Sequence, residues 1–299
     1  MEWNSELEAL VRSNPDDPAA WSVLEDWTLE RGDLRGRILE RKQAGDADGA
    51  REATWAYERE ALSEHYQDFM LKVSCTWRAG YLVNCSLKGR SIDRKGLLDR
   101  VLSLRCAALL TRLQADLDAP DELEPLLQRA EAFPIRELRL SGYWRPTLPV
   151  MFDASVLLKR HAVERLHLYH RAISLPWRPE LTRLTELSIT PGAPMELSGL
   201  FERPLPGLRQ LDVYCRTMEH RHGVDLAPFD RLFAGAPKLA RLRIHDESAE
   251  YRSQLIEWLA KSTLLPRLES FAFGYSGKPA PEQLPEQHRA AFAHLRPIE

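Results

Sequence analysis

Apolar residues recur through the second half of the chain in one motif, L-x-x-L-x-L, with Leu, Ile, Val or Phe at the three spaced positions. Six segments satisfy it: Ile135-Leu138-Leu140, Val163-Leu166-Leu168, Leu184-Leu187-Ile189, Leu208-Leu211-Val213, Leu239-Leu242-Ile244 and Leu268-Phe271-Phe273. These four residue types fill 75 of 299 positions, so chance alone would scatter roughly five matches along the chain. The count is therefore ordinary, and the placement carries the signal. All six lie after residue 134, and successive starts are 28, 21, 24, 31 and 29 residues apart. Two weaker members, Leu82-Cys85-Leu87 and Leu110-Leu113-Ala115, extend the ladder backwards. No proline falls inside any of the eight, while Pro134, Pro176, Pro179, Pro204, Pro206, Pro237 and Pro266 crowd between them. Proline cannot donate to a strand ladder, so the pattern predicts eight short strands.

Spacing decides how those strands pair. A hairpin return needs two to five residues, whereas a parallel return needs about a dozen or more. The gaps here leave room for one helix each. Asp153–Arg160, Leu226–Ala234 and Arg252–Lys261 read as such helices, with apolar positions three or four apart (Leu255, Ile256, Leu259). One strand and one helix per 21–31 residues is the period of a leucine-rich-repeat solenoid. The predicted fold class is α/β: a leucine-rich-repeat-like solenoid, with parallel strands on the concave face, helices on the convex face and an N-terminal α-helical domain. An irregular α/β domain with coincidental leucines is the alternative.

The head reads as helices. Asp17 is placed to cap a helix that begins at Pro18, and Gly32 to end it. Trp21, Leu24 and Trp27 follow one another on a single face, with Val23 and Leu29 at its margins. A second helix over about Arg35–Gln43 and a third over about Gly49–Lys72 complete a small bundle, with Trp55, Leu62, Phe69 and Val73 spaced for its core. The tryptophans suit core packing or, alternatively, a binding patch.

Two resemblances follow. Over roughly residues 80–275 the ladder resembles leucine-rich-repeat proteins. It departs where those repeats carry a turn asparagine: Tyr143, Arg171, Gly192, Arg216, Glu247 and Ser276 stand there instead, which implies irregular turns and a degenerate array. The stretch from Asn14-Pro15-Asp16-Asp17 through Trp27-Thr28-Leu29-Glu30-Arg31-Gly32-Asp33, with Glu58–Tyr66 and Trp77-Arg78-Ala79-Gly80-Tyr81 downstream, resembles the bacterial repeat-companion domain. Leu34 stands where that family usually has proline. Its members often precede leucine-rich repeats and as a family have no established activity. The resemblance implies a bacterial protein with an acidic helical repeat-companion domain over 1–75. A degenerate repeat solenoid with a C-terminal cap would then occupy 76–299.

Composition changes the picture in one respect. The net charge of −3 hides a division: residues 1–72 carry 17 acidic and 9 basic side chains, and the remainder 27 and 32. Acidic head and basic body could dock between copies, giving weak self-association. A near-neutral chain with pI ≈ 6.3 lacks the basic excess of a nucleic-acid binder, and no apolar run reaches the ~18–20 residues of a membrane span. Met1–Glu6 shows no basic region leading into an apolar run. Four scattered cysteines, Cys75, Cys85, Cys106 and Cys215, form neither a disulfide framework nor a metal motif. A cytoplasmic protein without nucleic-acid or membrane partners is expected.

No catalytic motif emerges. Gly274-Tyr275-Ser276-Gly277-Lys278 lacks the spacing of a phosphate loop, and Pro279 follows where a helix should start. His167 with His170, or His220 with His222, could clasp a metal, but no third ligand stands at a recognised spacing. Cys85 occupies an inward ladder position and reads as a small buried hydrophobe. No enzyme activity, cofactor or metal is expected.

The candidate surface is the strand face opposite the leucines, since side chains alternate along a strand. From it Arg139, Arg165, His167, Tyr169, Asp212, Tyr214, Arg241, Arg243 and His245 are selected as partner-binding residues. Arginine and tyrosine are frequent interface anchors, although a solvated charged face has the same composition. The leading expectation is a non-enzymatic adaptor or scaffold that binds a protein or peptide across the concave face. The alternative is a regulatory subunit or enzyme acting on a phosphate-containing ligand through the same arginines.

Overall fold

A computed structural model describes residues 2–62, 66–67, 73–87, 100–117, 133–142, 152–153, 158–159, 162–169, 173–190, 200, 203–214, 227–245, 249–273, 284 and 286–296. It is a mixed α/β structure with an N-terminal helical region. The helices are α1 (Ser5–Ser13), α2 (Pro18–Arg31), α3 (Leu34–Gln43), α4 (Ala47–Leu62), α5 (Ala227–Gly235), α6 (Ala249–Lys261) and α7 (Glu286–Phe292). The strands are β1 (Val73–Arg78), β2 (Tyr81–Leu87), β3 (Arg112–Leu117), β4 (Glu137–Gly142), β5 (Phe152–Asp153), β6 (Arg165–Tyr169), β7 (Ile173–Ser174), β8 (Glu186–Ile189), β9 (Gln210–Tyr214), β10 (Arg241–His245) and β11 (Ser270–Phe273). Nine of them hydrogen-bond in the order β1-β2-β3-β4-β6-β8-β9-β10-β11, and β5 pairs with β7 in a second sheet. Only β1–β2 is seen to pair antiparallel; β2–β3, β6–β8, β8–β9, β9–β10, β10–β11 and β5–β7 are parallel.

The second and third apolar positions of all eight ladder segments lie on strands of the nine-stranded sheet. Entry into five of them is built the same way. The N–H of the first leucine closes a tight turn on the carbonyl three residues earlier at Leu110, Leu184, Leu208, Leu239 and Leu268, with N···O distances of 2.9–3.2 Å. The next residue's carbonyl then accepts two N–H groups from the following segment. Thr111 accepts Arg136 and Glu137, Glu164 accepts Thr185 and Glu186, Thr185 accepts Arg209 and Gln210, Arg209 accepts Ala240 and Arg241, and Ala240 accepts Glu269 and Ser270. The motif thus fixes both the turn and the joint, and its leucines are buried throughout.

Packing divides the chain into two units, Met1–Leu138 and Arg139–Glu299. In the first, the starts of α1 to α4 have the caps their sequences offer. The side chain of Asn4 accepts the N–H groups of Glu6 and Leu7, Asp17 that of Ala19, Asp33 those of Arg35 and Gly36, and Asp46 that of Gly49. Gly32, at φ 62°, closes α2 through its N–H to the Leu29 carbonyl. Val11, Trp21, Leu24, Tyr81 and Leu109 form the core, flanked by half-buried Trp3 and Trp27. Arg35 is fully buried between those two rings, 4.5 and 5.7 Å from their centroids, and its guanidinium pairs with Asp33 at 2.7 Å.

Several expectations for this region need correction. Trp55 is 48% exposed, and Tyr57 takes the core position instead. The buried residues of α4 include Ala50, Tyr57 and Leu62; at 100° per residue Trp55 stands about 140° from Ala50 and about 160° from Tyr57, although it lies one heptad before Leu62. Val73 is buried, but on β1 rather than at the end of a helix. Phe69 and most of 63–72 lie outside the described residues.

In the second unit, α5 and α6 fall where two of the connecting helices are expected. The third differs: Asp153 belongs to β5, and within Asp153–Arg160 only 158–159 are otherwise described, as helix. Between β6 and β8 the described residues form β7 and a 3-10 turn at Pro179–Arg183 rather than an α-helix. This is the shortest repeat, and Pro176 and Pro179 interrupt it. At the C-terminal end, Phe292 of α7 packs 6.0 Å from Phe271, and Arg296 bridges Ser270 beside β11. No helix among the described residues is long and apolar enough to cross a membrane.

Candidate functional site

All nine selected residues lie in the second unit. Registration of the parallel strands sorts them into rows. Arg165, Glu186, Gln210 and Arg241 stand opposite one another on β6, β8, β9 and β10. His167, Ser188, Asp212 and Arg243 form the next row, and Tyr214 pairs with His245 beyond it. Neighbouring strands lie about 4.7–4.9 Å apart, so each row is a line of side chains at contact spacing. Glu186 and Gln210 belong to the site as fully as the arginines. Their signal is the position they share in the motif, immediately before its second leucine.

The two rows are not equally open. Arg139 and Arg241 are exposed, and Arg165, Tyr169 and Arg243 are half-buried. His167, Asp212 and His245 are not on an open surface, each being only 6–7% exposed. That corrects the expectation of a uniformly accessible face. Alternation tells which side of the sheet a residue takes, while burial depends on its cross-strand neighbours, here the larger side chains at contact spacing. Of Tyr214, only its place on β9 is described.

Contacts tie the inner row together. The His167 and Tyr169 rings stack with centroids 6.3 Å apart, and the Ser188 hydroxyl donates to the Tyr169 oxygen at 3.4 Å. Arg243 Nη1 lies 4.0 Å from Asp212 Oδ2. Burial raises the Asp212 carboxyl above its ordinary range, and Arg243, a hydrogen bond from Gln210 and the charge of Arg139 only partly oppose it. Burial, helped by the adjacent Arg243 charge, pushes His245 down to about 4. Its imidazole is therefore neutral at physiological pH. Among the described strand positions of the second unit, four guanidiniums (Arg139, Arg165, Arg241, Arg243) stand against the carboxyls of Glu186 and Asp212.

Among the described residues, no group of three or more His, Cys, Asp or Glu is arranged to hold a metal ion. His170, His220, His222, Cys215 and Gly274–Lys278 lie outside the described residues. A separate cavity of about 220 Å³ opens in the first unit, lined by residues that include Lys42, Tyr57, Cys75 and Trp77. Tyr57 donates its hydroxyl proton to the Gly80 carbonyl beside it.

No protein-family model matches the chain, and no curated protein does. Among solved structures, a Bacteroides fragilis protein determined by the Northeast Structural Genomics Consortium is similar, with a TM-score of 0.49 and 21% identity. The similarity covers 61% of this chain and 57% of that one, so this chain spans little more than half of its length.

Proposed function

We propose that this is a non-enzymatic interaction protein that binds an acidic protein or peptide segment across the strand face of a leucine-rich-repeat-like solenoid. The observation that carries the reading is the register of Arg165, Glu186, Gln210 and Arg241 on four neighbouring parallel strands. Such a row is a rigid floor whose polar groups are fixed before a partner arrives, which lowers the entropy lost on binding. Exposed Arg139 and Arg241 and half-buried Arg165, Tyr169 and Arg243 supply the anchors. The surplus of guanidinium over carboxyl selects acidic groups. The recurring turn and the doubly accepting carbonyl at each joint support the repeat reading. The capped α2 and the Asn14–Asp17 stretch ahead of it support a head of the bacterial repeat-companion type.

Charge reversal tests the proposal. Arg165→Glu with Arg241→Glu is expected to abolish recovery of a partner that the wild-type protein retains from its host. A phosphate-containing ligand would use the same guanidiniums, and a thermal-shift screen against nucleotides separates it. At a ligand concentration of about 100 Kd the chain would gain roughly 2.7 kcal/mol, and no gain is expected.

A further inference from the structure

We infer that Cys75 and Cys85 form an oxidisable dithiol, converted to a cross-strand disulfide by a small disulfide that reaches Cys75 through the cavity of the first unit. The two residues are direct partners in the antiparallel β1–β2 pair. Opposed residues of such a pair have Cα atoms about 4.5–5.5 Å apart, within the span a disulfide bridges. The short turn at Ala79–Gly80, where both residues have positive φ, 49° and 75°, pairs Arg78 with Tyr81, and a bulge between Thr76 and Trp77 shifts the register by one residue so that Cys75 meets Cys85 rather than Asn84.

Access differs between the two sulfurs, and that difference orders the steps. Cys85 is fully buried, whereas Cys75 is half-buried and lines the cavity of about 220 Å³ between α3, α4 and β1. Exposed Lys42 on the same wall offers a cation to the carboxylates of an acidic disulfide such as glutathione disulfide. The Cys75 thiolate, its proton lost to solvent, attacks one sulfur of the small disulfide and expels the first small thiolate. Cys85, also deprotonated, attacks Cys75 Sγ and expels the second. Two protein thiols lose two electrons, the small disulfide is reduced by two, and its two thiolates take up the two protons. Cys106 is buried and does not line the cavity, so the small disulfide does not reach it. The adjacent Cys85 thiol and burial push the Cys75 thiol up, so only a small thiolate fraction attacks, which makes the pair slow to react and responsive to sustained oxidant.

Peptide mapping of the full chain after incubation with glutathione disulfide tests this. Trypsin cuts at Arg78, so Cys75 and Cys85 fall in separate peptides, 73–78 and 79–88. The expected product joins those two peptides, with a loss of two hydrogens from the intact protein. Cys85→Ser is expected to stop at a glutathione adduct on Cys75. The wild-type map stands as the test if that variant does not fold. A lasting adduct on wild-type Cys75, a link to Cys106 or Cys215 instead, or unreacted Cys75 and Cys85 where the urea-unfolded chain oxidises would each overturn the inference.

Discussion

Asp212 and Arg243 stand opposite each other on neighbouring parallel strands, 4.0 Å apart at their charged atoms, yet the Asp212 carboxyl is harder to ionise than a free one. Burial takes the carboxylate out of water, and one guanidinium at that distance does not fully compensate. Asp212 thus only weakly neutralises Arg243.

Asp212→Asn follows directly. A carboxyl whose folded pKa is raised contributes stability that is fully present below its unfolded value of 3.8 and lost as pH rises through the folded value. At about pH 7 the Asn variant should therefore lie between neutral and roughly 1 kcal/mol more stable than wild type. The difference should shrink towards about pH 4. Urea unfolding at the two pH values reads it. A variant less stable than wild type at neutral pH would mean that the ion pair is net stabilising.

His245 runs in the opposite direction. Its folded pKa of about 4 lies below the ordinary 6.5, so its neutral form stabilises the fold above about pH 6.5. As pH falls towards about 4 the unfolded chain gains a proton that the folded chain refuses, and up to roughly 3 kcal/mol is lost. His245→Gln should flatten this part of the stability–pH curve. An unchanged slope would show that His245 titrates normally in the folded chain.

The eight strands were legible because three buried apolar positions recur at one spacing and prolines mark the gaps. The caps at Asp17 and Gly32 were legible because capping chemistry is local. Burial of His167, Asp212 and His245 was not, since it is decided by strands twenty or more residues away. Trp55 was misplaced for a related reason: the core face of α4 is chosen by what it packs against. The Cys75–Cys85 pairing hid between a ladder position and a residue ten earlier. The hairpin turn alone would set Cys75 opposite Asn84, and the bulge that shifts it to Cys85 has no signal in the sequence.

Two glycines with positive φ separate backbone strain from crowding. A Cβ at Gly32 would meet nothing within 4 Å, so Gly32→Ala should cost about 1 kcal/mol from the left-handed conformation alone. At Gly80 the same atom would lie 2.2 Å from Arg35 Cδ and 2.3 Å from Cγ. Gly80→Ala should cost roughly 2–4 kcal/mol. Equal losses in thermal unfolding would remove the claimed contact between the hairpin turn and the buried arginine.

Arg35 should resist even conservative change. Lysine cannot reproduce its planar stacking between Trp3 and Trp27 or its two-pronged bond to Asp33. Arg35→Lys is expected to destabilise the protein by roughly 2–4 kcal/mol, and a change below about 0.5 kcal/mol, the scale of ordinary surface substitutions, would contradict its structural role.

The most direct measurement of the central claim is affinity purification of the tagged protein from its host in three forms: wild type, Arg165→Glu with Arg241→Glu, and Arg183→Glu. Arg183 is exposed on the 3-10 turn, away from the strand rows, and controls for a general loss of positive charge. A partner is predicted to accompany wild type and Arg183→Glu, weaken with added salt, and disappear with the double variant. Equal recovery with all three forms would show that the strand face is not where this protein binds.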